Sequence, residues 1–504
     1  MSKTPHRLFL AFLLGLGAGT ALAQTNLRVG LADDPDVLDP TLARSYTARI
    51  VFASLCDKLF DIDEKLNIVP QLALGHATSA DGKAVTIRLR PDVRFHDGES
   101  FDAAAAKYTL ERHVAMKGSY RRAEIGVIDS VDVVEPLTIR INLKQPFSPL
   151  LNQLTDRAGM MVSPKAARAM GDKFGMKPVC AGPYRFVERV EQDRIVVERF
   201  ADYWNKDQVF IDKITYLPII DATVRLANLR AGSLELIERV LATDIKTVRD
   251  NPRLRLSKAI SLGFTSLIFN VANGPRSSNP LGKDPRVRQA FDLSLDREAI
   301  NQVVFNGEFV PGNQWVNPQH PYYQQKFPVP KPDLARARAL MKEAGVVGRL
   351  PIDFMVVNTP ETRAVAEVLQ AMSAEAGFDL KIRITEGATA LKEGEDGKFQ
   401  LYMNWWSGRS DPDGNSIIHH VCGAPQNLGH YCDKQIDAWH EEARATSDVA
   451  ARKAIYEKIA AKYLAEGSMI YLYHPQMLIA QVARLEGYRP MPDGLVRVIG
   501  LKLK

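Results

Sequence analysis

The chain has 504 residues, 46% of them hydrophobic, 8% aromatic and 25% charged, with a formal net charge of +6. At ~150 residues per domain this length allows two to four units, each with enough apolar material for a core. A weak cationic excess with no basic run gives no electrostatic case for nucleic acid, and none is expected as a partner.

Lys3 and Arg7 precede an apolar run from 8 to about 18, and Ala21, Leu22 and Ala23 follow in the small-x-small arrangement that signal peptidase accepts. These features predict a secretory signal over 1–23, cleaved after Ala23. Its removal takes two cations and no acid, leaving +4 over 481 residues. No later stretch approaches the roughly 20 apolar residues of a membrane span, and no cysteine sits at the cleavage site, so a free periplasmic protein is expected. The run GLGAG at 15–19 lies within the signal and carries no phosphate-binding meaning.

NLRVGL (26–31) reads as a first strand, and 39–60 as a helix after an Asp-Pro start, with Tyr46 on it. AVTIRLR (84–90) alternates Val85, Ile87 and Leu89 with Thr86, Arg88 and Arg90, the period of a half-buried strand. FHDGES (95–100) brings His96, Asp97 and Glu99 together, which could suit the acid/base pair of a periplasmic hydrolase. Asp97-Gly98 is also turn chemistry between strand and helix, and the turn is the preferred reading. Asp102 is placed to cap a helix over 101–114. Two hairpins follow, 131–143 turning at Glu135-Pro136 and 184–200 turning near Gln192-Asp193, so antiparallel strands dominate this half.

The character changes near 262–275, the expected crossing between two lobes. Beyond it, helices at about 285–305, 333–344, 361–376, 435–445 and 449–465 alternate with strands at 351–357, 380–384, 399–404 and 469–474. Such alternation predicts α/β units on a mostly parallel sheet.

Four cysteines stand at 56, 180, 422 and 432 in a compartment that oxidises thiols, and three connectivities are possible. The short loop CGAPQNLGHYC favours Cys422 with Cys432, leaving Cys56 for Cys180. His419, His420 and His430 crowd the same loop, but there is no CxxC and a bridge would consume the thiolates. No metal and no cofactor are expected. GxSxG, HExxH and GxxxxGK[ST] are absent, which lowers an enzymatic reading.

NWWSGRSDPDGN (404–415) is the densest cluster. Asp411, Asp413 and Asn415 match positions 1, 3 and 5 of an EF-hand loop, but Ser416 stands where glycine is needed and Cys422 where glutamate is needed. What remains is a strand ending in Ser407-Gly408, then Arg409, then a turn. Tryptophan offers a flat apolar face with an N–H handle, and arginine a rigid fork of donors suited to a carboxylate. Alternation along the strand sends one of Trp405 and Trp406 to the core, and Trp406 is expected to face a cleft. Tyr46 and Trp315 are further candidates for pocket walls, although an aromatic in a large chain is more often core.

Taken together, LDP (38–40), SLCDKLF (54–60), TIRLRPDVRFHDGESFDA (86–103), AGPYRF (181–186), FNVANGP (269–275), DPRVRQAFDLSLDREAI (284–300), ARALMKEAG (337–345) and WWSGRSDPDGN with NLGHYC resemble the family 5 solute-binding proteins of ABC importers. The resemblance implies an α/β, two-lobe periplasmic-binding-protein fold of type II, in its large class with an extra N-terminal subdomain and mixed sheets. It divides the chain into lobe I at 24–268 with a subdomain inserted at about 67–184, lobe II at 269–474, and a return to lobe I at 475–504. It further implies a monomer that is not an enzyme, a peptide-like ligand engulfed between the lobes, and a transient ABC permease partner. The FHDG turn becomes structural.

In peptide-binding members an acidic residue in the loop after this strand captures the ligand's α-amino group, and immediately after Ser407-Gly408 this chain has Arg409. A ligand carboxylate paired with Arg409 is therefore expected. Asp411 is either the acid or only an Asx-Pro turn with Pro412. The expected ligand set is Trp405, Trp406, Ser407, Arg409, Asp411, Tyr46 and Trp315.

Overall fold

The computed structural model describes residues 24–466 and 468–504; the expected signal at 1–23 lies outside the described residues. Among the described residues no helix is long and apolar enough to cross a membrane.

NLRVGL forms the strand Asn26–Leu31, whose apolar residues Leu27, Val29 and Leu31 are wholly buried. It runs parallel to Lys213–Pro218 on one side and Leu236–Ile237 on the other. Antiparallel strands Arg194–Arg199 and Tyr184–Val190 extend the sheet one way, and Gln476–Val482 with Leu254–Ile260 the other, giving seven strands.

The second sheet has six strands, in the order Val310–Pro311, Met469–His474, Phe264–Phe269, Leu401–Trp406, Leu350–Val357, Phe378–Thr385. The expectation of a mostly parallel sheet does not hold. Only Leu350–Val357 pairs in parallel, with Phe378–Thr385 and with Leu401–Trp406, and the other pairings are antiparallel. The reason is connectivity. The helix Pro360–Ala374 is a true crossover between parallel neighbours, whereas Phe264–Phe269 and Met469–His474 are where the chain enters from, and returns to, the other lobe.

A four-stranded antiparallel sheet, Ala73–Thr78, Ala84–Leu89, Thr138–Leu143 and Ile128–Glu135, forms the inserted subdomain. Ala103–Ala115 packs on it, started by Asp102, whose Oδ1 accepts from the Ala105 N–H at 2.9 Å. Its core is separate and includes Leu59, Phe95, Phe101, Leu110, Ile139 and Ile141.

Two expected helices change. The one over 39–60 shrinks to Tyr46–Leu55, because Asp39 spends its carboxylate on a turn (Thr41 N–H, 2.9 Å) and Ser45 supplies the N-cap. The one over 285–305 divides into Pro285–Leu293 and Arg297–Phe305, with Asp296 capping the second.

The chain passes between the large sheets twice, at 261–263 and at Pro475. The first passage lies ahead of the boundary expected at 268, which falls inside the fully buried strand Phe264–Phe269. The passages lie side by side: the Ser261 N–H donates to the Pro475 carbonyl at 2.9 Å, and His474 Nδ1 lies 2.8 Å from the Gly263 carbonyl.

Candidate functional site

The strand Leu401–Trp406 ends opposite Phe264, one residue from the first passage. Gly408 then takes φ +80°, and a Cβ there would collide with the backbone of Leu262 and Gly263. Glycine is thus required where the loop leans on the passage. Asn415, from the helix Asp413–His420, locks the turn: its Oδ1 accepts from the Arg409 N–H at 2.7 Å and from Trp406 Nε1 at 3.0 Å, and its Nδ2 donates to the Arg409 carbonyl at 3.0 Å.

That turn aims Arg409 across the gap. Its guanidinium stacks 4.8 Å from the Trp406 ring centroid, and its Nε lies 3.4 Å from Asp156 Oδ2 and its Nη2 4.0 Å from Glu124 Oε1, both residues of the inserted subdomain. Asp156 is also met by Arg49 Nε at 3.1 Å and lies 3.9 Å from Arg157 Nε. Burial disfavours the ionised form of Asp156, yet Arg49, Arg157, Arg409 and Arg121 hold it well below the usual carboxylate range. Burial pushes Arg409 down from its ordinary value, and burial with Arg121 alongside pushes Arg157 down further. A small cavity between the lobes is lined by Arg49, Asn152, Thr155, Asp156, Arg409 and Ser410.

Trp405 lies on the opposite face of the strand, yet it too meets the first lobe. Tyr46 packs edge-on against it at 5.8 Å, and the Arg239 guanidinium lies over it at 4.6 Å. Burial, with Glu238 nearby, raises the Tyr46 hydroxyl well above its ordinary value. Ser407 stands at the strand end, its Oγ 3.5 Å from Arg409 Nη1.

Asp411 and Trp315 take other positions. Both Asp411 oxygens accept from Arg452 at 2.7 Å, Oδ1 also accepts from the Asp413 N–H at 2.9 Å and Oδ2 from Asn152 Nδ2 of the first lobe at 3.4 Å, so this acid is occupied by Arg452, its own turn and a contact across the gap. Trp315 is 1% exposed, packed against His420, Tyr456 and Tyr471, and forms core rather than wall.

The lobes also touch beside the cavity. The Ser148 N–H donates to the Arg444 carbonyl at 2.8 Å, Gln145 Nε2 to Glu441 Oε2 at 3.0 Å, and Ser410 Oγ to Asn152 Oδ1 at 3.1 Å. The described arrangement is a closed one.

The acid/base alternative has no geometry behind it. His96 Nδ1 accepts from the Cys180 N–H at 3.3 Å, Nε2 lies 3.1 Å from the Gly182 carbonyl, and burial pushes the ring down to about 4. Asp97 Oδ2 accepts from Ser163 Oγ at 2.6 Å, and Gly98 takes φ +84° in the turn. In the cysteine loop, Cys422 is bonded to Cys432 and Cys56 to Cys180. His420 is buried, stacked on Tyr463 at 3.7 Å and 2.8 Å from the Tyr471 hydroxyl.

Sequence reading missed the first-lobe side of the cleft: Glu124, Arg49, Arg121, Asp156, Arg157 and Arg239. These lie in unremarkable stretches such as LTDRAG (154–159), and only tertiary structure gathers them.

Comparison with known proteins agrees with the architecture. The family model described as bacterial extracellular solute-binding proteins, family 5 Middle, matches residues 67–427. The glutathione-binding protein GsiB of Pectobacterium atrosepticum is 29% identical over 470 residues, 91% of this chain and 90% of that protein. Among solved structures, the Helicobacter pylori periplasmic binding protein DppA in complex with the peptide STSA superposes with a TM-score of 0.85 at 21% identity, covering 95% of this chain and 98% of that one. The dipeptide-binding protein of Pseudoalteromonas sp. SM9913 in complex with Met-Leu gives 0.86 at 20% identity, covering 95% and 100%.

Proposed function

The chain belongs to the bacterial extracellular solute-binding proteins of family 5, and from that membership we propose that it captures a peptide-like solute carrying a carboxylate and hands it, chemically unaltered, to an ABC permease. The protein works in the periplasm as a monomer after losing a signal at 1–23. Its lobe I, with the subdomain at about 67–184, and its lobe II meet through the passages at 261–263 and Pro475.

The observation that carries the reading is Arg409, which reaches from the second lobe to Asp156 and Glu124 of the first. An ammonium placed on this loop position would meet a cation, whereas a ligand carboxylate finds a forked donor already aimed at the gap. Trp406 fixes the fork by stacking, and Trp405 with Tyr46 forms an apolar wall on the other side of the strand. The name of the Pectobacterium relative makes glutathione, a peptide with two carboxylates, the first compound to try.

Contacts that both lobes make with the ligand exist only in the closed form, so binding shifts the open/closed equilibrium by that differential affinity. A micromolar ligand supplies about 8 kcal/mol in total, and favouring closure from 1:99 to 99:1 needs about 5.5 kcal/mol of difference. Calorimetry with glutathione and acidic peptides, on the natural chain and on Arg409→Ala, tests this reading. Affinity is expected to fall ~10-fold or more, the scale of a charge-assisted hydrogen bond. Unchanged affinity for acidic ligands ends the assignment of Arg409, and turnover of any bound compound ends the transport reading.

A further inference from the structure

Four guanidiniums, of Arg49, Arg121, Arg157 and Arg409, gather around two carboxylates, of Asp156 and Glu124. Side-chain exposure is 4, 2, 3 and 12% for the arginines and 7 and 16% for the acids, so water does little to screen them. Asp493 borders the same cavity but does not alter the balance. It is paired with Arg497 at 2.8 Å, which meets Asp61 at 2.7 Å, itself paired with Lys58 at 2.6 Å. The cluster therefore holds two more cations than anions.

Buried cations in excess are costly unless an anion joins them. Among the described residues, Arg49 Nη1, Arg121 Nε and Arg157 Nε are buried donors without a hydrogen-bond acceptor, against one buried acceptor of the cluster without a hydrogen-bond donor, Asp156 Oδ2. Arg49 and Arg409 line the cavity, whose volume in this closed form is about 10 Å³, room for one water, and Arg121 and Arg157 do not line it. The two lining guanidiniums flank the single Asp156 carboxylate, one at 3.1 Å from Oδ1 and the other at 3.4 Å from Oδ2. Because both contact the same carboxylate, ligand anions that satisfy both are neighbours.

Building on the peptide-like, acidic ligand proposed above, we infer that this end of the cleft, with the lobes held further apart than in the closed form described, takes two neighbouring carboxylates, as on a peptide whose C-terminal residue is aspartate or glutamate. One carboxylate accepts from the Arg409 fork and the other from Arg49 Nη1, while Arg121 and Arg157 supply the balancing field.

The test compares Ala-Glu with Ala-Gln by calorimetry on the intact protein, with inorganic phosphate as a third probe. The two peptides have the same shape and differ by one carboxylate. Ala-Glu is expected to bind at least ~10-fold more tightly, as one further charge-assisted hydrogen bond implies. That preference should shrink in Arg49→Gln, whose fold is checked by circular dichroism. Equal affinity of the two peptides overturns the paired-carboxylate site and leaves the importer reading standing. Phosphate binding as tightly as Ala-Glu also overturns it, in favour of a general dianion site. Failure of both peptides to bind overturns the inference and the peptide-like ligand together.

Discussion

Asp411 and Arg452 form a two-pronged pair in which both N···O distances are 2.7 Å and both side chains are about 5% exposed. Taking away one partner strands the other's charge in the interior, which costs about 3–5 kcal/mol. Asp411→Asn is expected to lose stability on that scale in urea titration, and an unchanged midpoint would refute the structural role. Asp413 makes the same kind of contact with Arg444, at 2.8 and 3.0 Å. These pairs explain what was and was not legible at this scale. The loop 404–415 stood out because it concentrates tryptophan, arginine and acids, and Arg409 does reach Asp156 and Glu124 of the first lobe. Of the two tryptophans it is Trp405 that touches the first lobe, whereas Trp406 packs on His419, Asn415 and Arg409 of its own lobe. The same composition could not reveal that Asp411 has its own arginine 41 positions on. Nor could LTDRAG reveal that Asp156 faces, besides its neighbour Arg157, three guanidiniums from other segments.

Elements with local causes were readable. The hairpins at 131–143 and 184–200 form where turn residues interrupt alternation, the second with Gln192 at φ +59°. Sheet direction in the second lobe was not readable, because the path of the chain between lobes sets it and no local pattern records that path. The disulfides also act at the scale of elements. Cys56–Cys180 ties the end of the helix Tyr46–Leu55 to the inserted subdomain across 124 residues, whereas Cys422–Cys432 closes only 10. In the chain-entropy account, loops of these sizes contribute about 5 and about 3 kcal/mol. The Cys56→Ser/Cys180→Ser pair should therefore lower the guanidinium midpoint more than Cys422→Ser/Cys432→Ser. The reverse order would show that native-state strain or residual unfolded structure dominates.

Across both lobes, buried histidines are held neutral. Burial pushes His96, His419 and His474 down to about 4, and His113 and His440 to about 3. An unfolded chain takes up these protons near pH 6.5 and the native one does not, so their stabilisation is complete above about pH 6.5 and is lost as pH falls toward 3. Asp57 works the other way. Burial raises it to about 7, so the native state holds its proton through a window where the unfolded chain has lost it. One such carboxyl opposes five such histidines, and the net expectation is a melting temperature that drops steadily from pH 6.5 to 4 in scanning calorimetry. A flat or rising profile would contradict it.

The neighbouring passages at 261–263 and Pro475 have a mechanical corollary. Two ribbons joined by a hydrogen bond, Ser261 to Pro475 at 2.9 Å, resist shear and twist separately but bend together. Such a flexure leaves one soft coordinate, so the halves swing like a clamshell instead of sliding. The Trp405–Trp406 strand end is rooted beside that flexure, through Gly408 against Leu262. Spin labels at Gln145 and Glu441, which touch at 3.0 Å when shut, should consequently report a single separation coordinate rather than a scatter of unrelated ones.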